Sequence, residues 1–171
     1  DDAGRWRNIH THTWNGQSSD VVGAWDGLNR GHALANEVIF ASGVDKATMA
    51  QALFIRSFYI FHIMDLFGQV PFKENTGGTI VNKVLSRKEA AAKIIADLTT
   101  ALPDLPAATT ANSGRGTKAA AQAIIAKVQL NMGVYNADPK TPGTIGAPSA
   151  AELDAVIANC DAIINSGTYK L

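Results

Sequence analysis

Hydrophobic positions recur along this chain with the 3.6-residue period of an α-helix. The densest apolar stretch predicts one long helix over residues 46–67, buried on most sides. Arg56, His62 and Asp65 interrupt the stretch, so it is too short and too polar to span a membrane. Gly68 and Pro71 then end the helix.

Four further segments each place their apolar residues on one helical face. The first stripe contains Val21, Trp25, Leu28, His32, Ala35 and Ile39. The next contains Ala91, Ile94, Ile95, Leu98 and Leu102. The third contains Ala121, Ile124, Ile125, Val128, Met132 and Tyr135. The last contains Leu153, Val156, Ile157, Cys160, Ile163 and Ile164. We therefore expect five helices.

Polar residues mark where these helices begin. Ser86 with Glu89, and Ser149 with Glu152, have the spacing of a capping box, and Thr117 is a predicted N-cap. Residues 68–85, 103–116 and 136–148 hold all six prolines and are predicted to be loops. Residues 79–81 of the first loop favour a short extended piece.

A weak internal repeat relates two of the helices. The triplet Ala-Gln-Ala occurs at residues 50–52 and again at 121–123, about two periods of a 34-residue helix–turn–helix repeat apart. Small residues early in a helix allow a neighbouring backbone to approach closely. The fold class predicted is all-α, with tetratricopeptide-like helix pairs in an α–α superhelix and long loops.

Composition narrows the possible functions. The 171 residues include 15 Lys and Arg against 15 Asp and Glu, so the chain carries no basic footprint for nucleic acid or for an anionic membrane surface. Apolar residues make up 46%, which is too many for a disordered chain. The lone Cys160 excludes a disulfide framework and is expected to lie in the core. Because the first residue is Asp1 and both ends resemble cut ends, we expect a fragment of a longer chain.

No motif for catalysis, metal or cofactor is apparent. The segment from Gly114 to Lys118 differs from a phosphate-binding loop, since its glycines are one residue apart, and helix capping explains it better. His10 and His12 would share a face only if extended, and no third ligand follows. No nucleophile with a base, and no paired carboxylates, can be assigned. We predict a protein that is not an enzyme and that holds neither metal nor cofactor.

The tryptophans of the polar segment formed by residues 1–17 offer binding chemistry. Trp6 lies beside Arg5, and Trp14 is followed by Asn15 and Gln17. An exposed ring can cover the apolar face of a sugar while amides or a guanidinium bond its hydroxyls. The alternative is that both rings only pack this segment against helices that occupy residues 18–171.

Several motifs in order resemble the SusD/RagB family of outer-membrane glycan-binding lipoproteins of Bacteroidetes. The similarity covers residues 15–171 and includes Trp-Asp-Gly-Leu at 25–28 in an early helix, an Arg-Ser-Phe-Tyr segment at 56–59 and a Phe-Gly-Gln-Val-Pro turn at 67–71. Gly-Arg-Gly-Thr-Lys at 114–118 and the ending Ile-Asn-Ser-Gly-Thr-Tyr-Lys-Leu at 164–171 complete the pattern. Asn29 departs from it, because the family usually has an aromatic residue there.

The resemblance implies a single N-terminal SusD-like helical-repeat domain over residues 1–171. It implies non-catalytic capture of an oligosaccharide or polysaccharide at the cell surface and delivery to a SusC-like TonB-dependent transporter. Attachment to the outer membrane would use a lipid anchor that this chain does not contain. The carbohydrate-binding residues implied are Trp14 and Asn15, followed by Arg5, Trp6 and Gln17. A docking scaffold without its own ligand remains the alternative, and a hydrolase ranks below both.

Overall fold

A computed structural model describes residues 4–169, with the side chains of Arg5 and Pro142 left out, so Lys170 and Leu171 of the family-like ending lie outside the described residues. The helices are α1 (Arg5–His10), α2 (Ser19–Phe40), α3 (Lys46–Phe67), α4 (Arg87–Ala101), α5 (Lys118–Leu130), α6 (Met132–Asn136) and α7 (Ala150–Ile164). The strands are β1 (Val70–Thr76) and β2 (Thr79–Leu85). Two short 3-10 turns occupy Thr110–Asn112 and Pro142–Thr144. The prediction of a mainly helical protein is confirmed.

The predicted helix starts are confirmed by their capping bonds. Ser86 and Ser149 each form the reciprocal capping box with the glutamate three residues later. Thr117 caps α5, because its hydroxyl accepts a hydrogen bond from the Ala120 amide at 3.2 Å. The predicted end of α3 is also present. Gly68 follows its last residue with φ 78°, a left-handed conformation that glycine adopts without strain.

The prediction that residues 68–85 form a loop is wrong, because they form an antiparallel β-hairpin. Its register runs from Val70 opposite Leu85 to Thr76 opposite Thr79. Gly77 and Gly78 have φ of 60° and 89°, which the tight two-residue turn requires. Val70 and Phe72, two residues apart, point to the same face of the hairpin and are buried against the helices.

Antiparallel neighbours build the helical body. Helix α3 packs between α2 and α4, while α5 packs on α7, which confirms the layout of helix pairs. Small residues at the contacts, such as Ala50, Ala90, Ala91 and Ala121, are all at most 1% exposed. The largest fully buried side chains of the core are Ile60, Ile63, Met64, Val70, Ile94, Leu98 and Val128.

The third predicted stripe does not continue as one helix to Tyr135. Asn131 leaves helical geometry at φ −102° and ψ 11°, and its side-chain amide donates to the Lys127 carbonyl at 2.8 Å. The short helix α6 follows and brings Gly133 under the backbone of Gly146. A side chain at position 133 would collide with that backbone.

We expect Gly133→Ala to destabilise the fold by about 1–3 kcal/mol, as overpacking usually does. The added Cβ would overlap the Gly146 carbonyl oxygen, so the loop would have to move. Urea denaturation followed by circular dichroism measures the effect. Gly23→Ala in α2 is the control, since nothing lies within 4 Å of its Cβ position. Equal midpoints for the two variants would contradict the prediction.

Helix α7 differs from expectation in how it is buried. Val156, Cys160 and Ile163 are half-buried on the side facing α5. Leu153, Ile157 and Ile164 are 40%, 57% and 69% exposed. The apolar stripe of α7 is therefore wider than the surface that α5 covers. Cys160, expected in the core, is only half-buried.

Candidate functional site

The segment before α2 is folded on itself by short-range hydrogen bonds. Thr11 caps the end of α1, since its hydroxyl donates to the Arg7 carbonyl at 2.8 Å. The Thr13 amide donates back to the Asn8 carbonyl at 3.0 Å. His12 has φ 55° while His10 lies in α1, so the extended geometry that would place both rings on one face is not present.

Asn15 shapes the turn that leads into α2. Its side-chain oxygen accepts a hydrogen bond from the Gln17 amide at 2.9 Å, which is an Asx turn. Ser18 closes the same turn, because its hydroxyl accepts from the Asn15 amide at 3.0 Å and its own amide donates to the Asn15 carbonyl at 3.0 Å. Asn15 is therefore committed to holding the backbone that presents Trp14.

The tryptophans predicted to bind a ligand are both exposed. Trp14 is 48% exposed and Trp6 is 61% exposed. Gln17 is also exposed, and it lies with Trp14 and Asn15 on one turn, whereas Arg5 and Trp6 lie in the first turn of α1. The side chain of Arg5 is outside the described residues. We name Trp14, Asn15 and Gln17 the Trp14 turn.

The cavities formed by the described residues lie away from the Trp14 turn. An apolar groove of about 330 Å³ runs between α2 and α3, lined by Leu34, Val38 and Ile55 among others. A cleft of about 270 Å³ lies where Arg87 donates to the Ala137 carbonyl at 3.1 Å. A cleft of about 550 Å³ separates the loop before α5 from the end of α7. None of these three is lined by the Trp14 turn.

A buried polar network joins α2, α3 and α4, and the sequence did not reveal it. Arg56 is 4% exposed and its Nε donates to Asp97 Oδ2 at 2.9 Å. Its Nη1 donates to Asn36 Oδ1 at 3.0 Å, and the Asn36 amide nitrogen lies 3.1 Å from His32 Nε2. His32 is thus a hydrogen-bonded core residue, whereas His62 is half-buried with its ring 4.6 Å from that of Phe58.

This network shifts the titration of its histidine. Burial, reinforced by the positive charges of Arg56 and Lys73, lowers the pKa of His32 from 6.5 to about 4. In the cleft of about 270 Å³ beside Arg87, burial raises the pKa of Tyr135 to about 12, and the neighbouring Asp65 reinforces this shift. Across residues 4–169, no group of three or more His, Cys, Asp or Glu side chains could hold a metal ion.

Paired helices with a docked β-hairpin define a helical-repeat protein. A family model named SusD-like_3, described as "Starch-binding associating with outer membrane", matches residues 32–130, more than half of the chain. The chain therefore belongs to this SusD-like family, a carbohydrate-binding family. No curated protein matches it significantly. No helix among the described residues is long and apolar enough to cross a bilayer.

Solved structures of this family share the fold. A crystal structure with a xylogluco-oligosaccharide is 24% identical with a TM-score of 0.77, and the match covers 96% of this chain and 33% of that one. A SusD homologue from Bacteroides thetaiotaomicron is 20% identical with a TM-score of 0.66 over 96% and 33%. A laminarin-binding SusD-like protein is 18% identical with a TM-score of 0.52 over 82% and 28%. The chain thus spans about a third of the length of these relatives.

Proposed function

We propose that this chain takes part in the non-catalytic capture of an oligosaccharide at the outer surface of a bacterial cell. Membership of a family described as starch-binding carries the proposal. Relatives of similar fold are described with a xylogluco-oligosaccharide and as laminarin-binding, which supports a glycan ligand. The equal numbers of acidic and basic residues suit an uncharged ligand.

We place the ligand on the Trp14 turn, with Arg5 and Trp6 as further contacts. The half-exposed indole of Trp14 offers an apolar face for a sugar ring. Asn15 acts here through the turn that it holds, because its side-chain oxygen already accepts the Gln17 amide. A turn fixed before binding loses less conformational entropy when the ligand arrives.

Trp14→Ala is expected to weaken oligosaccharide binding about tenfold, the equivalent of about 1.4 kcal/mol. Calorimetric titration with xylogluco-, laminari- and malto-oligosaccharides measures the affinity. Trp14→Phe retains a flat ring and should keep most of it. An affinity that is unchanged in Trp14→Ala would remove Trp14 from the site, and release of reducing ends by the pure protein would contradict a non-catalytic role.

The complete protein is proposed to be anchored in the outer membrane by a lipid and to deliver its glycan to a SusC-like TonB-dependent transporter. We likewise propose that residues 1–171 form the N-terminal domain of that protein. Co-purification of the complete protein with the transporter tests the partnership.

A docking scaffold without its own ligand is the second candidate function. The observation that favours it is the apolar groove between α2 and α3, where Leu34 and Ile55 are 53% and 42% exposed. Exposed apolar patches of this kind mark protein contacts in many proteins. Transporter binding that Leu34→Asp abolishes, together with no binding of any of the three oligosaccharides, would favour the scaffold.

A further inference from the structure

The cleft of about 550 Å³ lies between the loop before α5 and the segment that follows α7. Its volume falls within the range of small-molecule sites in proteins. Among the side chains that line it are the hydroxyls of Thr110, Ser113 and Thr168, the Arg115 guanidinium and the Tyr169 ring. No carboxylate of residues 4–169 lines it. We call it the Tyr169 cleft.

One wall of the cleft is rigid although it is a loop. The Asn112 side chain donates to the Ala107 carbonyl at 2.6 Å and accepts from the Thr109 amide at 2.7 Å. Gln51 of α3 clamps the base of the loop through two bonds to the Gly116 backbone, at 2.8 and 3.0 Å. A Cβ at position 116 would lie 2.5 Å from the Phe54 ring, so a side chain there would displace that ring. The wall is therefore formed before any ligand arrives.

The opposite wall is positioned by the end of α7. Gly167 turns the chain with φ 66°. The Ser166 hydroxyl donates to the Ile163 carbonyl at 2.7 Å and accepts from the Thr168 amide at 3.2 Å. These bonds direct Tyr169 toward the cleft, where it is 55% exposed.

Several polar groups of the cleft have no partner among the described residues. Within residues 4–169, the Arg115 guanidinium, the Tyr169 phenol and the hydroxyls of Thr110, Ser113 and Thr168 make no hydrogen bond or ion pair with protein. By contrast, the side chains of Asn112 and Thr117 are used to hold the loop and cap α5. The cleft thus offers donors, acceptors and an aromatic face, the combination that a polyhydroxylated ring requires.

We propose that the Tyr169 cleft binds a sugar ring of a neutral oligosaccharide, at a site separate from the Trp14 turn. The Tyr169 ring packs on the C–H face of the sugar, and Arg115 donates to its hydroxyls. This inference rests on the proposed function, since it assumes that the chain binds glycans. Two separate sites on one chain would raise the avidity for a long polysaccharide above that for a short oligosaccharide.

Amide shifts in ¹H–¹⁵N spectra, titrated with xylogluco-, laminari- and malto-oligosaccharides, test the proposal site by site. We expect at least one of these probes to shift the amides of Thr110, Ser113 and Thr168. Tyr169→Ala should lower the affinity obtained from these shifts about tenfold, and Arg115→Ala should lower it several-fold. Tyr169→Phe should lower the affinity less than Tyr169→Ala does. Leu153→Ala, at a similarly exposed position of α7, is the matched control and should leave it unchanged.

The two proposals fail in different ways. Shifts at the cleft that persist in Trp14→Ala and disappear in Tyr169→Ala would support a separate site. Shifts confined to the Trp14 turn, with the Tyr169→Ala affinity equal to wild type, would overturn the cleft site and leave the proposed function standing. Absence of binding by the wild-type chain to all three probes would overturn both. Thermal unfolding of each variant excludes a loss of fold as the cause.

Discussion

Asp97→Ala is expected to lower the free energy of unfolding by about 3–5 kcal/mol, the usual effect of removing one partner of a buried ion pair. The carboxylate accepts from Arg56 Nε at 2.9 Å and from Nη2 at 2.8 Å, and both side chains are 5% exposed. Without it, the guanidinium would remain buried beside no counter-charge. Burying a lone charge costs far more than the intact pair contributes.

Several elements depend on this pair. Lys93, one turn earlier on α4, also contacts Asp97, with its Nζ 2.8 Å from Oδ1. The Phe72 ring of the hairpin lies 5.5 Å from the Arg56 guanidinium carbon and 5.8 Å from Lys93 Nζ. The loss of Asp97 would therefore loosen the hairpin as well as the helix contacts.

Urea denaturation distinguishes an unpaired buried charge from lost packing. The double variant Arg56→Met with Asp97→Leu removes both charges and should be more stable than Asp97→Ala alone. Glu74→Ala is the matched control, because it breaks the exposed ion pair with Lys83 and should leave the midpoint unchanged. A double variant no more stable than Asp97→Ala would contradict the explanation.

Local signals in the sequence were sufficient for the five longer helices, but not for α1 or for the break at Asn131. The capping boxes at Ser86 and Ser149 and the stop at Gly68 act within one turn of the chain, so short sequence windows contain them. The sequence predicts a loop over residues 68–85 with only a short extended piece at 79–81, although the apolar Val70 and Phe72 lie two residues apart before a Gly-Gly pair. Pro71 and the polar residues of that stretch concealed the two-residue period.

Features that depend on distant residues could not be predicted. Arg56 and Asp97 lie 41 residues apart in sequence, and nothing local pairs them. The stripe on α7 predicted burial, but the period does not specify which neighbour covers Ile157 or Ile164. Likewise, Tyr169 was noticed only as part of a family-like ending, and its place beside Arg115 follows from the packing of α7 on α5. The polar neighbours of Trp14 in the sequence left both exposure and packing open, and the ring is half-exposed.

His32 is expected to make the fold less stable as the pH falls from about 6.5 to about 4. The reason lies in the orientation of Asn36, which contacts both Arg56 and His32. Because a guanidinium can only donate, the Asn36 oxygen faces Arg56 and the Asn36 amide nitrogen faces His32. His32 Nε2 must then accept, which requires the neutral ring. A proton on Nε2 would set two donors against each other, beside the positive charges of Arg56 and Lys73.

The sign and size of the effect follow from the two pKa values of this residue. Burial lowers the folded-state pKa of His32 to about 4, while the unfolded chain titrates near 6.5. Between these values the unfolded state binds a proton that the folded state does not, so acid favours unfolding. A difference of about 2.5 pKa units corresponds to about 3 kcal/mol, present in full above pH 6.5 and lost by about pH 4.

Unfolding free energies measured from pH 7.5 to pH 4 in wild type and His32→Gln test this prediction. Glutamine keeps an acceptor for the Asn36 amide but does not titrate, so His32→Gln should lose most of the slope between pH 6.5 and 4. His10→Gln, at an exposed position of α1, is the matched control and should keep the wild-type slope. Parallel curves for wild type and His32→Gln would show that the acid sensitivity lies in other groups. A steeper wild-type curve would show that the ring facing Asn36, Arg56 and Phe72 must stay neutral for α2, α3 and the hairpin to remain packed together.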